Sequence, residues 1–179
     1  MIVKAYFLIV SFRCIDGFFY QRLVMDYIQN IRKKVGKDKI ILNFTCGILS
    51  QSGKILLQKR ADKGTWGLPG GAIELGESAL EALVREFYEE TGIEVRAGKL
   101  LNVYTKYSDS YPNGDEAQVI TILYLVSSKN SISTNFFSSD ETLELGFFDH
   151  MDIQNIEIVN QQHQDMINDF FENKFPIDR

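Results

Sequence analysis

Apolar and polar positions along this chain fall into short alternating runs, broken by one long amphipathic stretch. Residues 39–49 and 54–59 are rich in aliphatic side chains, and Gln51, Ser52 and Gly53 between them have the composition of a hairpin turn. Residues 93–107 and 117–126 alternate as long strands do, with Tyr111, Pro112, Asn113, Gly114 and Asp115 marking a turn between them. Residues 143–148 read as a further strand. Residues 26–34 predict a short helix with Tyr27, Ile28 and Ile31 on one side. Residues 160–173 predict a terminal helix that turns Met166, Ile167, Phe170 and Phe171 inward. Residues 60–66 form a polar loop leading into Leu68, Pro69, Gly70 and Gly71. No repeat, low-complexity tract or linker interrupts the order. Strand-rich segments with helices interspersed predict an α/β (α+β) fold, a mixed β-sheet sandwiched between helices.

The long amphipathic stretch carries the chemistry. Residues 78–91 lack Gly and Pro and are rich in Ala, Leu and Glu, so they predict a helix. At roughly 100° per residue, Leu80, Leu83, Val84 and Phe87 share an apolar stripe. Glu86, Glu89 and Glu90 are spaced to share another face, about a quarter turn or more from that stripe. Three crowded carboxylates repel one another, and a hard divalent cation offsets that repulsion with oxygen ligands and substrate phosphate. Gly92 fits the left-handed residue that ends many helices. Ahead of the helix, three glycines in five residues (Gly67, Gly70, Gly71) allow backbone to approach a ligand closely.

Composition narrows the class. A chain of 179 residues with 45% hydrophobic and 24% charged residues suits a globular protein with a sizeable core. A net charge of −5 argues against a general nucleic-acid binder. The acidity concentrates around the helix: six Glu and one basic residue, Arg85, lie between Glu74 and Glu90. Cys14 and Cys46 form no spacing motif and suggest reduced thiols in a cytoplasmic protein. The apolar residues 1–24 are interrupted by Lys4 and Arg13 and carry no small-residue cleavage site. They are expected to be an accessory segment or an upstream extension, with residues 25–179 forming a single domain.

Residues 71–93 place Gly71, Glu77, Arg85, Glu86, Glu89, Glu90 and Gly92 at fixed spacings, with Phe87 and Ile93 apolar. This stretch resembles the signature of the Nudix hydrolases, G-x5-E-x7-R-E-U-x-E-E-x-G-U, with every specified position met if Phe87 is accepted as the apolar U. The wider resemblance covers roughly residues 38–172.

It implies a Nudix fold, catalytic roles for Arg85, Glu86 and Glu89, and Mg²⁺ (with Mn²⁺ as a substitute) held by Glu86, Glu89, Glu90 and the Gly71 carbonyl. It also implies that Arg85 holds a Glu of the motif in place. Glu77 either braces the loop-to-helix junction or only caps it. Arg60 either reaches substrate phosphate or faces solvent. Trp66 either stacks on a base or packs over the loop. Tyr107 and Tyr111 flank the expected recognition loop or sit on its rim. Glu141 and Glu144 stand where some relatives place another ligand or base. His163 reads first as a structural histidine.

The implied activity is Mg²⁺-dependent hydrolysis of a nucleoside diphosphate linked to a group X, such as ADP-ribose or a nucleotide sugar. The products are a nucleoside monophosphate and phospho-X. The alternatives are pyrophosphohydrolysis of an oxidised nucleoside triphosphate and, in another class, a nucleotide-binding regulator without catalysis. Trimming of RNA 5′ ends is disfavoured by the acidic balance. The expected partner is a small nucleotide, with no DNA and no membrane, and a homodimer is left open.

Overall fold

The computed structural model describes residues 40–110, 116–130 and 137–179, together with Lys33 and Ile132. The expected N-terminal segment, nearly all of the 26–34 helix, and Tyr111 with its turn lie outside the described residues. The strands among the described residues are β1 (Ile40–Gln51), β2 (Lys54–Arg60), β3 (Trp66–Gly67), β4 (Val95–Ser110), β5 (Glu116–Ser128) and β6 (Thr142–Phe148). The helices α1 (Ala79–Thr91), α2 (His150–Ile153) and α3 (Gln161–Phe171) accompany them.

The sheet is mixed. β1 runs parallel to β5, while β5 pairs antiparallel with β4, and β2 pairs antiparallel with β1, β3 and β6. The β1–β2 hairpin turns at Ser52 and Gly53, where the sequence predicted it. The alternation of β2 then decides the layering. Ile55 and Leu57 point into one core with Met166 and Ile167 of α3, whereas Leu56 points into another with Leu83 and Phe87 of α1. Helix α1 therefore covers one face, and α3 with Ile153 of α2 the other, as the strand pattern implied.

Two elements were not anticipated. The run taken as a loop up to Trp66 contains a tight return, because Trp66 and Gly67 pair with Lys59 and Gln58 as β3. The single-turn helix α2 starts at a capping box between Asp149 and Asp152, which an Asp-x-x-Asp spacing does not advertise.

Helix α1 corrects the expected stripe. Ser78 caps it and forms a capping box with Glu81, and Gly92 closes it at φ 67°. Leu83 and Phe87 are buried, but Leu80 and Val84 are 45% and 36% exposed. The buried line continues instead through Glu90, which is 2% exposed. The carboxylates therefore do not share one face beside the core. Glu90 is one turn beyond Phe87 on the core side, and only Glu89 faces outward.

Candidate active site

The loop between β3 and α1 runs back along β1. Thr45 N–H donates to the Gly71 carbonyl (2.9 Å), Gly47 N–H to Pro69 (3.0 Å) and Ile73 N–H to the Asn43 carbonyl (3.0 Å). This pairing lays Gly70 and Gly71 flat between β1 and α1. Gly70 requires glycine, and Gly71 leaves room for a neighbouring side chain. Gly70 has φ 143°, and a Cβ there would overlap the backbone of Thr45 and Cys46. A Cβ on Gly71 would occupy the space of the Glu86 carboxylate. The Gly71 carbonyl, expected as a ligand, uses one lone pair on Thr45 and keeps the other.

Arg85 organises the acidic helix. Its guanidinium grips Glu77 through two hydrogen bonds (Nε–Oε1 2.9 Å, Nη2–Oε2 2.8 Å) and reaches Glu86 Oε1 at 2.7 Å through Nη1. It also donates to the Ala72 carbonyl at 3.2 Å and to Glu89 at 3.3 Å. A planar fork with five donors is suited to this and a lysine is not. Of the two readings of Glu77, bracing fits: Ser78 is the cap, and the Arg85 hydrogen bonds hold the Glu77 carboxyl below its usual range.

Glu86, Glu90 and Glu141 bring ligand oxygens within 4.8 Å of one another. Glu90 accepts a 2.6 Å hydrogen bond from Gly70 N–H, yet burial pushes its carboxyl up to about 7. Burial also raises Glu86, against the pull of Arg85. Glu141 is delivered by the β2–β6 pairing. Ala61 N–H donates to its carbonyl (2.9 Å), and Thr142 beside it pairs with Arg60. Three desolvated or converging carboxylate oxygens are a hard donor set that suits Mg²⁺ or Mn²⁺. Glu89 stands apart from this trio, 58% exposed and turned to Arg85. Glu144 lies in β6 opposite Lys59, outside the trio.

The trio lies on one wall of a cleft of about 340 Å³. Arg60, Lys63, Asp109 and Ser110 also line it, as do Asn160, Gln162 and His163 at the start of α3. Arg60 pairs with Asp62 through two 3.0 Å hydrogen bonds and stands 3.9 Å from Glu90. Trp66 takes the packing alternative: it meets Phe148 edge-on at 4.6 Å, and it is absent from the cleft wall. Tyr107 is likewise committed elsewhere. It lies within β4, and its hydroxyl donates to Asp165 at 2.6 Å.

The α3 residues of the cleft were not singled out as binding groups. The available signal was a polar run, Gln161 to Gln164, opening an otherwise amphipathic helix. Gln162 is 3% exposed, accepting from Thr121 Oγ1 and donating to the Val119 carbonyl.

Comparison with known proteins identifies the family. The sequence profile of the NUDIX domain matches residues 40–170. An ADP-ribose pyrophosphatase of Methanocaldococcus jannaschii is 36% identical over 127 residues, covering 69% of each chain. A putative 8-oxo-dGTP diphosphatase of Bacillus subtilis is 48% identical over 59 residues, 33% of this chain and 40% of that protein. Among solved structures, a NUDIX hydrolase from Nitrosomonas europaea superposes with a TM-score of 0.61 at 25% identity, over 76% of this chain and 73% of that one. The fold, the complete motif and these matches together place the chain in the Nudix hydrolase family. No helix among the described residues is long and apolar enough to cross a membrane.

Proposed function

We propose that this Nudix hydrolase cleaves a nucleoside diphosphate linked to a sugar-like group X, giving a nucleoside monophosphate and phospho-X. The observation that carries the reading is the convergence of Glu86, Glu90 and Glu141 on one wall of a cleft that has Arg60 and Lys63 beside them. Glu86, Glu90, Glu141 and the Gly71 carbonyl would hold the divalent cation, with the exposed Glu89 available from the outer side. When bound, that cation polarises the diphosphate and acidifies a water.

The protein's own groups supply the rest. Arg85 fixes Glu86 so that its carboxylate need not reorganise. Arg60 binds a phosphate oxygen. A carboxylate of the cluster accepts the proton of the attacking water as the phosphorus–oxygen bond forms and the bridging bond breaks.

Substrate choice rests on the polar lining of the same cleft. Asp109 is paired with Lys63 at 3.6 Å, while Ser110 and Asn160 offer neutral polar groups. Hydroxyl groups suit such a lining. The relative named ADP-ribose pyrophosphatase aligns over more than twice the length of the one named for 8-oxo-dGTP. The expected outcome is a higher kcat/KM for ADP-ribose or a UDP-sugar than for common or oxidised triphosphates. A triphosphate preferred by more than about tenfold, that is by about 1.4 kcal/mol in the transition state, overturns the choice of X while leaving the hydrolase reading intact.

A further inference from the structure

His163 is partly buried between α3 and β3, and its ring is oriented by the backbone. Leu68 N–H donates to His163 Nδ1 at 3.0 Å. A nitrogen that accepts a backbone N–H carries no proton, so the imidazole proton sits on Nε2. The Nδ1–Cε1 edge lies against Gly67, where an added Cβ would come within 3.3 Å of Nδ1 and 3.5 Å of Cε1. The opposite edge of the ring carries Nε2, and His163 lines the cleft.

That N–H has no hydrogen-bond partner among the described residues. Asn160 also helps set the ring, because its side chain accepts from His163 N–H and caps α3 at this point. Burial, with Arg60 and Lys63 nearby, pushes the imidazole down to about 3, so the group is a neutral donor across the working pH range. A single outward N–H, aligned by the backbone on a wall shared with Arg60 and Lys63, is a site for an anionic oxygen.

We infer that His163 is a substrate-binding residue whose Nε2–H donates to a phosphate oxygen of the bound nucleotide. The inference rests on the diphosphate reading above. It assigns to α3 one contact to the phosphate chain, on the wall that also holds Arg60.

Two variants separate this role from a structural one. His163→Asn places an oxygen where Nδ1 stood and its amide nitrogen near Cδ2, so it keeps the acceptor for Leu68 and draws the donor back from the Nε2 position. His163→Gln carries an amide to the position of Nε2 and keeps a donor there. The probe is α,β-methylene-ADP, whose bridge resists hydrolysis, titrated with Mg²⁺ by calorimetry. The wild-type protein is expected to bind it. Binding by His163→Asn is expected to weaken at least about tenfold, the scale of one lost hydrogen bond to a charged group, and His163→Gln to recover most of the loss.

With any substrate that is turned over, His163→Asn is expected to raise KM and leave kcat nearly unchanged. Equal binding by wild type and a folded His163→Asn overturns the assignment and leaves the diphosphate reading standing. Failure of the wild-type protein to bind the probe with Mg²⁺ overturns both.

Discussion

Replacing Glu90 by glutamine is expected to lower kcat by at least about 100-fold, the scale seen when one key stabilising group is removed. The substitution preserves shape, and the new amide oxygen can still accept the hydrogen bond from Gly70 N–H. What it removes is the negative charge at the deepest point of the Glu86–Glu90–Glu141 cluster. The fold is not expected to suffer. Without metal, burial raises the Glu90 carboxyl from its ordinary 4.5 to about 7. A carboxyl raised on folding stabilises fully below its unfolded pKa, and that contribution is lost as pH rises through the folded value. The metal-free wild type therefore loses stability between about pH 4.5 and 7 because Glu90 must ionise in a buried place. Glu90→Gln removes this loss, so the metal-free variant is expected to unfold at a higher temperature than wild type at pH 8. Calorimetry at two pH values and steady-state turnover check both halves. Near-native turnover would refute the assignment of Glu90.

The second large effect is structural. Gly70→Ala is expected to destabilise the protein by roughly 3 kcal/mol or more, the range reached when a special backbone conformation and a steric clash combine. At φ 143° an alanine is strained, and its methyl would overlap the Thr45 carbonyl and press on Cys46. Both obstacles are backbone of the buried strand β1 and have no room to retreat. The loop has to lift away from β1. That breaks the hydrogen bonds from Thr45 to Gly71 and from Gly47 to Pro69, and it moves Gly70 N–H off Glu90. Activity is expected to fall together with stability, which denaturant melts and turnover will show. A Gly70→Ala protein with native stability and activity would mean that the loop is free to move, contrary to this packing.

The parts of the fold legible in the sequence were those with strong periodicity. The aliphatic run of 54–59, the alternation of 117–126, the uninterrupted helix former at 78–91 and the Ser52–Gly53 turn all act locally, and each forms its element near the expected bounds. What the sequence could not show depends on which face meets the core. Leu80 and Val84 have the right chemistry for burial, but α1 is rotated so that Phe87 and Glu90 face inward. Only the sheet beneath decides that rotation, and a carboxylate one turn beyond a core phenylalanine gives no local sign of it.

The same holds for the site. The motif spacing pointed to Arg85, Glu86, Glu89 and Glu90 on one helix and to Gly71 in the loop before it, and of these carboxylates Glu89 stands outside the cluster. Glu141 reaches them through the pairing of Arg60 with Thr142, a contact 82 positions apart in the chain. His163 and Gln162 enter the cleft because α3 folds back over β3 and β5. Trp66 and Tyr107 carried aromatic faces suited to a base, and each is spent on the protein itself, one on Phe148 and the other on Asp165.

The most direct test of the central claim is hydrolysis of ADP-ribose and of a nucleoside triphosphate by the purified protein, with Mg²⁺ and with EDTA, while circular dichroism follows the fold. With Mg²⁺, cleavage between the two bridged phosphates is expected, releasing AMP from ADP-ribose. With EDTA, no cleavage and an unchanged folded spectrum are expected, because the two cores are built from sheet and helices and not around the carboxylates. Cleavage that persists in EDTA, or a chelated protein that unfolds, would rule out a catalytic metal site on this wall.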